Sequence, residues 1–297
     1  MSAQEHFQTG RLTEAVQAAL TTVKKQPNDL NARFFLAELF CFQGDWERAD
    51  RQLDTVVKQP ANATMRAQLF RHLIRAEIAR EQVLSEGRPP ELVVPLPLAA
   101  QLQLELCAAI RLKQSDDYRN LCDRALAAQT LVRGNCNGTD FEGLQDLDER
   151  FSSTLEVMTA SGKYYWVPWS SVRSLAFTPA ERPMDLIWRK AQVDVDGGPR
   201  GEVYVPVRYP FPNSETWDDA QRLGRATDWA GDETTVTTGV GQRMLLVGEE
   251  AVAIMELKLL TNSELPAAAE PSGVQKISIR GEASSRGGAG SHSESDL

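Results

Sequence analysis

The stretch "STLEVMTASGKYYWVPW", residues 153–169, decides how the chain is divided. Strand-forming residues flank Ser161-Gly162, a turn signal, so the stretch reads as a β-hairpin. On its second strand Tyr164 and Trp166 face one side, Tyr165 and Val167 the other. Apolar bulk on both faces suits a strand covered on both sides. Pro168 cannot donate to a ladder and marks a strand end or edge. Aromatics are only 7% of the chain, yet Tyr164, Tyr165, Trp166 and Trp169 crowd together. Core plus a seam between two domains is the simplest reading. An exposed partner-binding patch is the alternative, and these four aromatics are its candidate contacts.

C-terminal to the hairpin, the strand pattern continues. "AQVDVDGGPRGEVYVPV" is a second hairpin turning at Asp196-Gly197, and "TTVTTGVGQRMLLVGEEAVAIMELKLL" holds one or two more. A short helix, "SETWDDAQRLG", interrupts them. Residues 140–263 are therefore expected to form a β-rich α+β domain, a small barrel-like unit. Residues 264–297 are rich in Gly, Ser and Ala with little to bury, and are expected to be a disordered tail.

N-terminal to it, the period changes to that of helices. "GRLTEA" begins at Gly10 and "GDWERA" at Gly44, an offset of 34 residues. That is the period of the tetratricopeptide helix pair. Gln26-Pro27 and Gln59-Pro60 close the two units. Phe35, Leu39 and Phe42 form one stripe, and Trp46, Ala49, Leu53 and Val56 another. A third helix places Met65, Leu69, Leu73 and Ala76 on one side and carries Arg66, Arg71, Arg75 and Arg80. These arginines read as a solvated face or as a basic strip facing an acidic partner. Four prolines between 89 and 97 predict an extended crossing segment. Helices follow near 98–113 and 116–129, the second capped by Ser115. Residues 1–135 are thus expected to be a TPR-like helical domain, giving a multidomain chain of α followed by α+β.

Chemistry is sparse. The three histidines, at 6, 72 and 292, are scattered, and no H-E-x-x-H, G-x-S-x-G or zinc spacing occurs. "GVGQRM" lacks a third glycine and a Walker lysine, so it reads as a strand-entry turn. The acidic run "DFEGLQDLDERF" lacks the spacing of a calcium loop and reads as a solvated linker. No catalytic, cofactor-binding or metal-binding residues are assigned. The net charge of -9 disfavours nucleic acid and anionic membrane as partners. Four cysteines with no C-x-x-C pair, no secretory leader and no membrane-length apolar run point to a cytoplasmic protein.

Several segments resemble the ImpE/TagJ (SciE) family of bacterial type VI secretion accessory proteins. They include "RFFLAELFCFQGDWERADRQL", "DLDERFSSTLEVMTASGKYYWVPWSSVRSL", "DLIWRKAQV", "GEVYVPVRYP", "GRATDWAG" and "GVGQRMLLVGEEAVAIMELK". The resemblance implies a non-enzymatic cytoplasmic adaptor that binds the small sheath subunit (TssB type) through that subunit's N-terminal helix. It also implies a link with the ClpV-type ATPase that dismantles the contracted sheath. A general TPR adaptor with another client is the nearest alternative. An enzyme with its site in the β-rich domain is the rival from a different class.

Overall fold

The computed structural model describes residues 1–56, 61–210, 216–232 and 235–266. Gln59-Pro60 and the tail from residue 267 lie outside them. Five helices open the chain: α1 (Ala3–Gln8), α2 (Leu12–Lys25), α3 (Leu30–Phe42), α4 (Trp46–Val56) and α5 (Ala61–Ser85). The turns α1–α2 and α3–α4 repeat bond for bond. Gly10 N donates to Phe7 O and Arg11 N to His6 O; 34 residues on, Gly44 N donates to Cys41 O and Asp45 N to Phe40 O. Both glycines are left-handed, at φ 80° and 76°, which costs a residue without Cβ little. Behind each turn an alanine, Ala15 or Ala49, is fully buried and lets neighbouring helices close up.

The stripe on α4 is buried as its spacing predicts, at Trp46, Ala49, Leu53 and Val56. Two other helices differ from their sequence reading. In α3, every residue from Leu36 to Phe42 is buried, Glu38 included, so it is a central helix and not a one-sided one. In α5, Leu73 and Ala76 of the predicted stripe are buried, but Met65 is 71% exposed, Leu69 is half-buried, and Ala67, Phe70 and Ile74 are buried as well. A 25-residue helix packed first against helices and then against a sheet has no single apolar face.

The proline-rich segment crosses as expected and yields only β1 (Glu91–Leu92). The next helices are α6 (Leu98–Leu112) and α7 (Tyr118–Ala127). Ser115 does not cap α7; it starts a 3-10 turn, Ser115–Asp117, that leads into it. There follow β2 (Arg133–Cys136), β3 (Thr139–Glu142), β4 (Leu144–Asp146), β5 (Thr154–Met158), β6 (Tyr164–Pro168), β7 (Val172–Phe177), β8 (Trp188–Val195) and β9 (Arg200–Pro206). After α8 (Asp219–Arg222) come β10 (Thr227–Ala230), β11 (Thr238–Gly241), β12 (Met244–Val247), β13 (Glu250–Ala253) and β14 (Leu259–Asn262).

The barrel expected from the hairpin spacing does not form. The large sheet is open, in the order β1-β6-β5-β9-β8-β7-β14-β2-β3. Closure would require its end strands, β1 and β3, to pair with each other. β1 is two residues long between prolines, and β13, β12 and β4 form a separate three-stranded sheet. The hairpins themselves fall where the turn residues place them. β5 pairs with β6 around left-handed Gly162, and β8 with β9 around left-handed Gly197.

Both faces of the large sheet are covered. One buried cluster joins Leu36, Phe40, Leu73 and Ile74 of the helices to Trp166, Trp188 and Tyr204 of the sheet. A second holds Leu155, Val157, Val167 and Trp169 against Leu245. All five residues of β5 are consequently buried. The described residues make one compact unit.

Candidate functional site

Helix α5 carries all four candidate arginines, at intervals of five, four and five residues. At about 100° per residue, Arg66 and Arg80 share one side, and Arg71 and Arg75 lie roughly 140–180° away. The structure therefore splits them. Arg66 reaches Glu38 of α3 at 3.5 Å and lies over the Phe34 ring at 4.1 Å. Arg71 donates to both oxygens of Asp50, at 2.7 and 2.9 Å, and to Asp54 at 3.0 Å. Arg75 points to solvent and lines an open groove. Arg80 is buried, with 1% of its surface exposed.

The groove, of about 700 Å³, runs between α4 and α5. Trp46, Ile74 and Ile78 supply apolar lining; Glu47 and Asp50 stand on α4 and Arg75 on α5. Ile78 is 38% exposed. Farther along α5, Glu81, Leu84 and Ser85 border a second hollow of about 260 Å³. Ile74, Ile78, Glu81 and Ser85 follow one another at i, i+4, i+7 and i+11, so one face of α5 borders both hollows. Trp46 Nε1 donates to Glu81 Oε1 at 2.7 Å between them.

The opposite side of α5 grips the sheet. Arg80 donates Nε and Nη2 to the two oxygens of Glu156 on β5, at 2.7 and 2.8 Å. Its Nη1 reaches Glu77 at 2.8 Å, and Trp188 Nε1 donates to the other Glu77 oxygen at 2.7 Å. Tyr164 OH and Arg243 also donate to Glu156. Trp166 Nε1 donates to Tyr164 OH at 2.6 Å, and Arg243 pairs with Asp146 at 3.3 Å. Burial pushes the Glu156 carboxyl up, but Arg80 and Arg243 outweigh it and hold it at about 2. Of the eight candidate contact residues, Arg80, Tyr164 and Trp166 thus meet in one buried cluster. Trp169 lies on the other face of the sheet, 1% exposed, and Tyr165 is half-buried beside it. Sequence reasoning does not find Glu77, Glu156 and Arg243, because nothing marks them there beyond being charges in apolar surroundings.

Nothing in this cluster is placed to attack a substrate. Its groups donate to and accept from one another away from solvent. The four cysteines are free and buried, and burial pushes the Cys107 thiol up to about 12. Among the described residues, no three His, Cys, Asp or Glu side chains converge as metal ligands.

Glu38 gives a pH prediction. Burial pushes its carboxyl up to about 7 against the pull of Arg66. The folded chain therefore holds this proton more tightly than the unfolded chain. Its contribution is fullest below the ordinary carboxylate range and is lost as pH rises through about 7. Glu38→Gln mimics the protonated form. It should remove on the order of 2 kcal/mol of the stability difference between about pH 5 and about pH 8. Urea melts of both chains at the two pH values check this, and parallel slopes would contradict it.

Residues 138–261 match the family model described as ImpE protein. Over 267 residues the chain is 31% identical to the type VI secretion system accessory component TagJ of Pseudomonas aeruginosa, covering 88% of this chain and 90% of that one. The chain belongs to the ImpE/TagJ family. Its fold is also similar to the crystal structure of protein VPA1032 from Vibrio parahaemolyticus, with a TM-score of 0.81 and 27% identity over 88% of this chain and 97% of the other. The segment matched by the ImpE model contains Glu156, Tyr164, Trp166 and Arg243, the sheet side of the buried cluster. The groove on α4 and α5 precedes that segment. In this ImpE/TagJ chain no described helix is long and apolar enough to cross a membrane.

Proposed function

We propose that the chain is a non-enzymatic, cytoplasmic adaptor of a bacterial type VI secretion system. Its TPR-like helical part holds a short amphipathic helix from the small sheath subunit (TssB type) and so links that subunit to ClpV-dependent sheath recycling. The secretion role is supported by the relative's name, type VI secretion system accessory component TagJ. The TPR-like reading is supported by the two equivalent turns at Gly10 and Gly44.

The observation that carries the binding mode is the open groove between α4 and α5. An amphipathic helix lays apolar anchors at i, i+3, i+4 and i+7 into such a groove. Ile74, Ile78 and Trp46 supply the apolar floor, and Arg75 stands at the rim for a carboxylate of the incoming helix. Arg66 and Arg71 face acids of this chain, and Arg80 is inside it. Of the four, Arg75 is the one left to steer a partner. The aromatic cluster at 164–169 serves the core in this reading.

The test is calorimetric titration of the full chain with a peptide covering the N-terminal helix of a small sheath subunit (TssB type) from the same bacterium. Ile78→Asp should weaken binding by about tenfold or more, since a charge replaces an anchor. Arg75→Glu should weaken it less and lower its salt dependence. Both side chains are exposed, so melting should hardly move. Absence of heat from the intact chain, or equal affinity in Ile78→Asp, would remove the groove from the function.

A further inference from the structure

A second surface lies at the far end of the sheet. β3 ends the nine-stranded sheet, and β13 ends the three-stranded one. Between β3 and the β12–β13 turn lies a cleft of about 570 Å³. All four residues of β3 line it, with Phe141 and Val247 as a largely buried apolar floor. Asp140, Glu142, Glu249, Glu250 and Glu256 surround that floor, and no lysine or arginine lines it.

An open strand edge offers unpaired backbone groups to any extended chain. Proteins commonly protect such edges with lysine, proline, a bulge or a covering element. β3, "TDFE", has no lysine and no proline and pairs with β2 without a bulge; the β12–β13 turn bonds just past its end, Gly248 N donating to Gly143 O at 2.8 Å, and the cleft lies open alongside the strand itself. Its carboxylates repel acidic segments and select basic ones. Glu142 pairs with Arg133 at 2.9 Å, whereas Asp140, Glu249, Glu250 and Glu256 make no ion pair among the described residues. The apolar floor suits the aliphatic stems of Lys and Arg, whose heads would reach the rim. The carboxylates do not converge as metal ligands.

We propose that this cleft docks an extended, Lys/Arg-rich segment of a partner protein, added to β3 as a further strand. Backbone bonds to β3 give the affinity, and the carboxylate rim gives the choice of partner. The site is separate from the α4–α5 groove, so the two readings stand or fall independently.

The test uses the full chain and a blocked peptide of alternating lysine and valine. Binding is expected at low ionic strength, should weaken with salt, and should slow amide exchange within Thr139–Glu142. The double variant Glu249→Lys/Glu250→Lys should lose about tenfold in affinity with an unchanged melt. Asp140→Lys provides the same reading should that double variant not fold. The proposal is overturned by no binding at low salt, by binding that leaves β3 exchange unaltered, or by equal binding of a glutamate–valine peptide. Self-association of the chain that protects the same amides would assign the edge to a second copy and overturn it equally.

Discussion

Glu156→Ala should lower stability by about 3–5 kcal/mol, the usual cost of removing one partner from a buried ion pair. The substitution leaves two guanidinium groups, Arg80 at 1% side-chain exposure and Arg243 at 0%, without the carboxylate they share. Arg80 would keep Glu77, and Arg243 would keep Asp146 at 3.3 Å, so neither is stranded entirely. Tyr164 OH loses its acceptor as well. For a compact unit of this size the loss corresponds to a fall in melting temperature of about 10 °C. The cost arises from the charges left behind, and it does not measure the net worth of the network. An apolar replacement of every member could be neutral. Glu156→Gln should lie between Ala and the parent, since it keeps the shape and an acceptor but not the charge. The pH dependence runs opposite to that of Glu38. Glu156 titrates at about 2 in the fold, below its ordinary 4.5. Its stabilisation is complete above the ordinary value and is lost as pH falls through about 2. A melting temperature for Glu156→Ala equal to the parent's would mean that α5 is held to the sheet by apolar packing alone.

Trp166→Ala should cost a similar amount, about 3–5 kcal/mol, by a different route. Trp166 is fully buried, with Phe151 edge-on at 5.7 Å between ring centres and its Nε1 donating to Tyr164 OH. Truncation would open a cavity beside the Glu156 cluster, which cannot close without moving charged side chains. Trp166→Phe keeps most of the ring volume and loses the N–H donor, so about 1–2 kcal/mol is expected. Denaturant melts on both variants separate the two contributions. The same variants test whether this aromatic run contacts a partner. With no exposed surface at Trp166, affinity for a docked helix should be unchanged at temperatures where the variant is folded. A variant that melts like the parent but no longer binds would place Trp166 at an interface.

Much of the fold is legible in the order of the residues. The equivalence of Gly10 and Gly44, the turns at Gly162 and Gly197, and the burial stripe of α4 all depend on residues within a few positions of one another. Backbone sterics and the helical period decide such features locally, and a sequence displays both. The division of the four arginines is also legible in part, because their spacing on one helix already separates Arg66 and Arg80 from Arg71 and Arg75.

What each arginine does is not legible there. Arg80 finds its carboxylate 76 residues away, and Arg243 reaches the same carboxylate across 87. A charge inside a fold is tolerated only where packing delivers an opposite charge to it, and that depends on how every intervening element folds. The barrel fails for a related reason: hairpin spacing specifies neighbouring strands, whereas closure depends on what the two end strands meet. The paired helix turns, the hairpins and the family thus follow from the order of the residues. Packing between distant elements sets the rest: the sheet stays open, Trp166 and Arg80 lie inside, and Arg75 and Ile78 remain on the surface. Local geometry follows from neighbours in the chain; exposure follows from packing between distant ones.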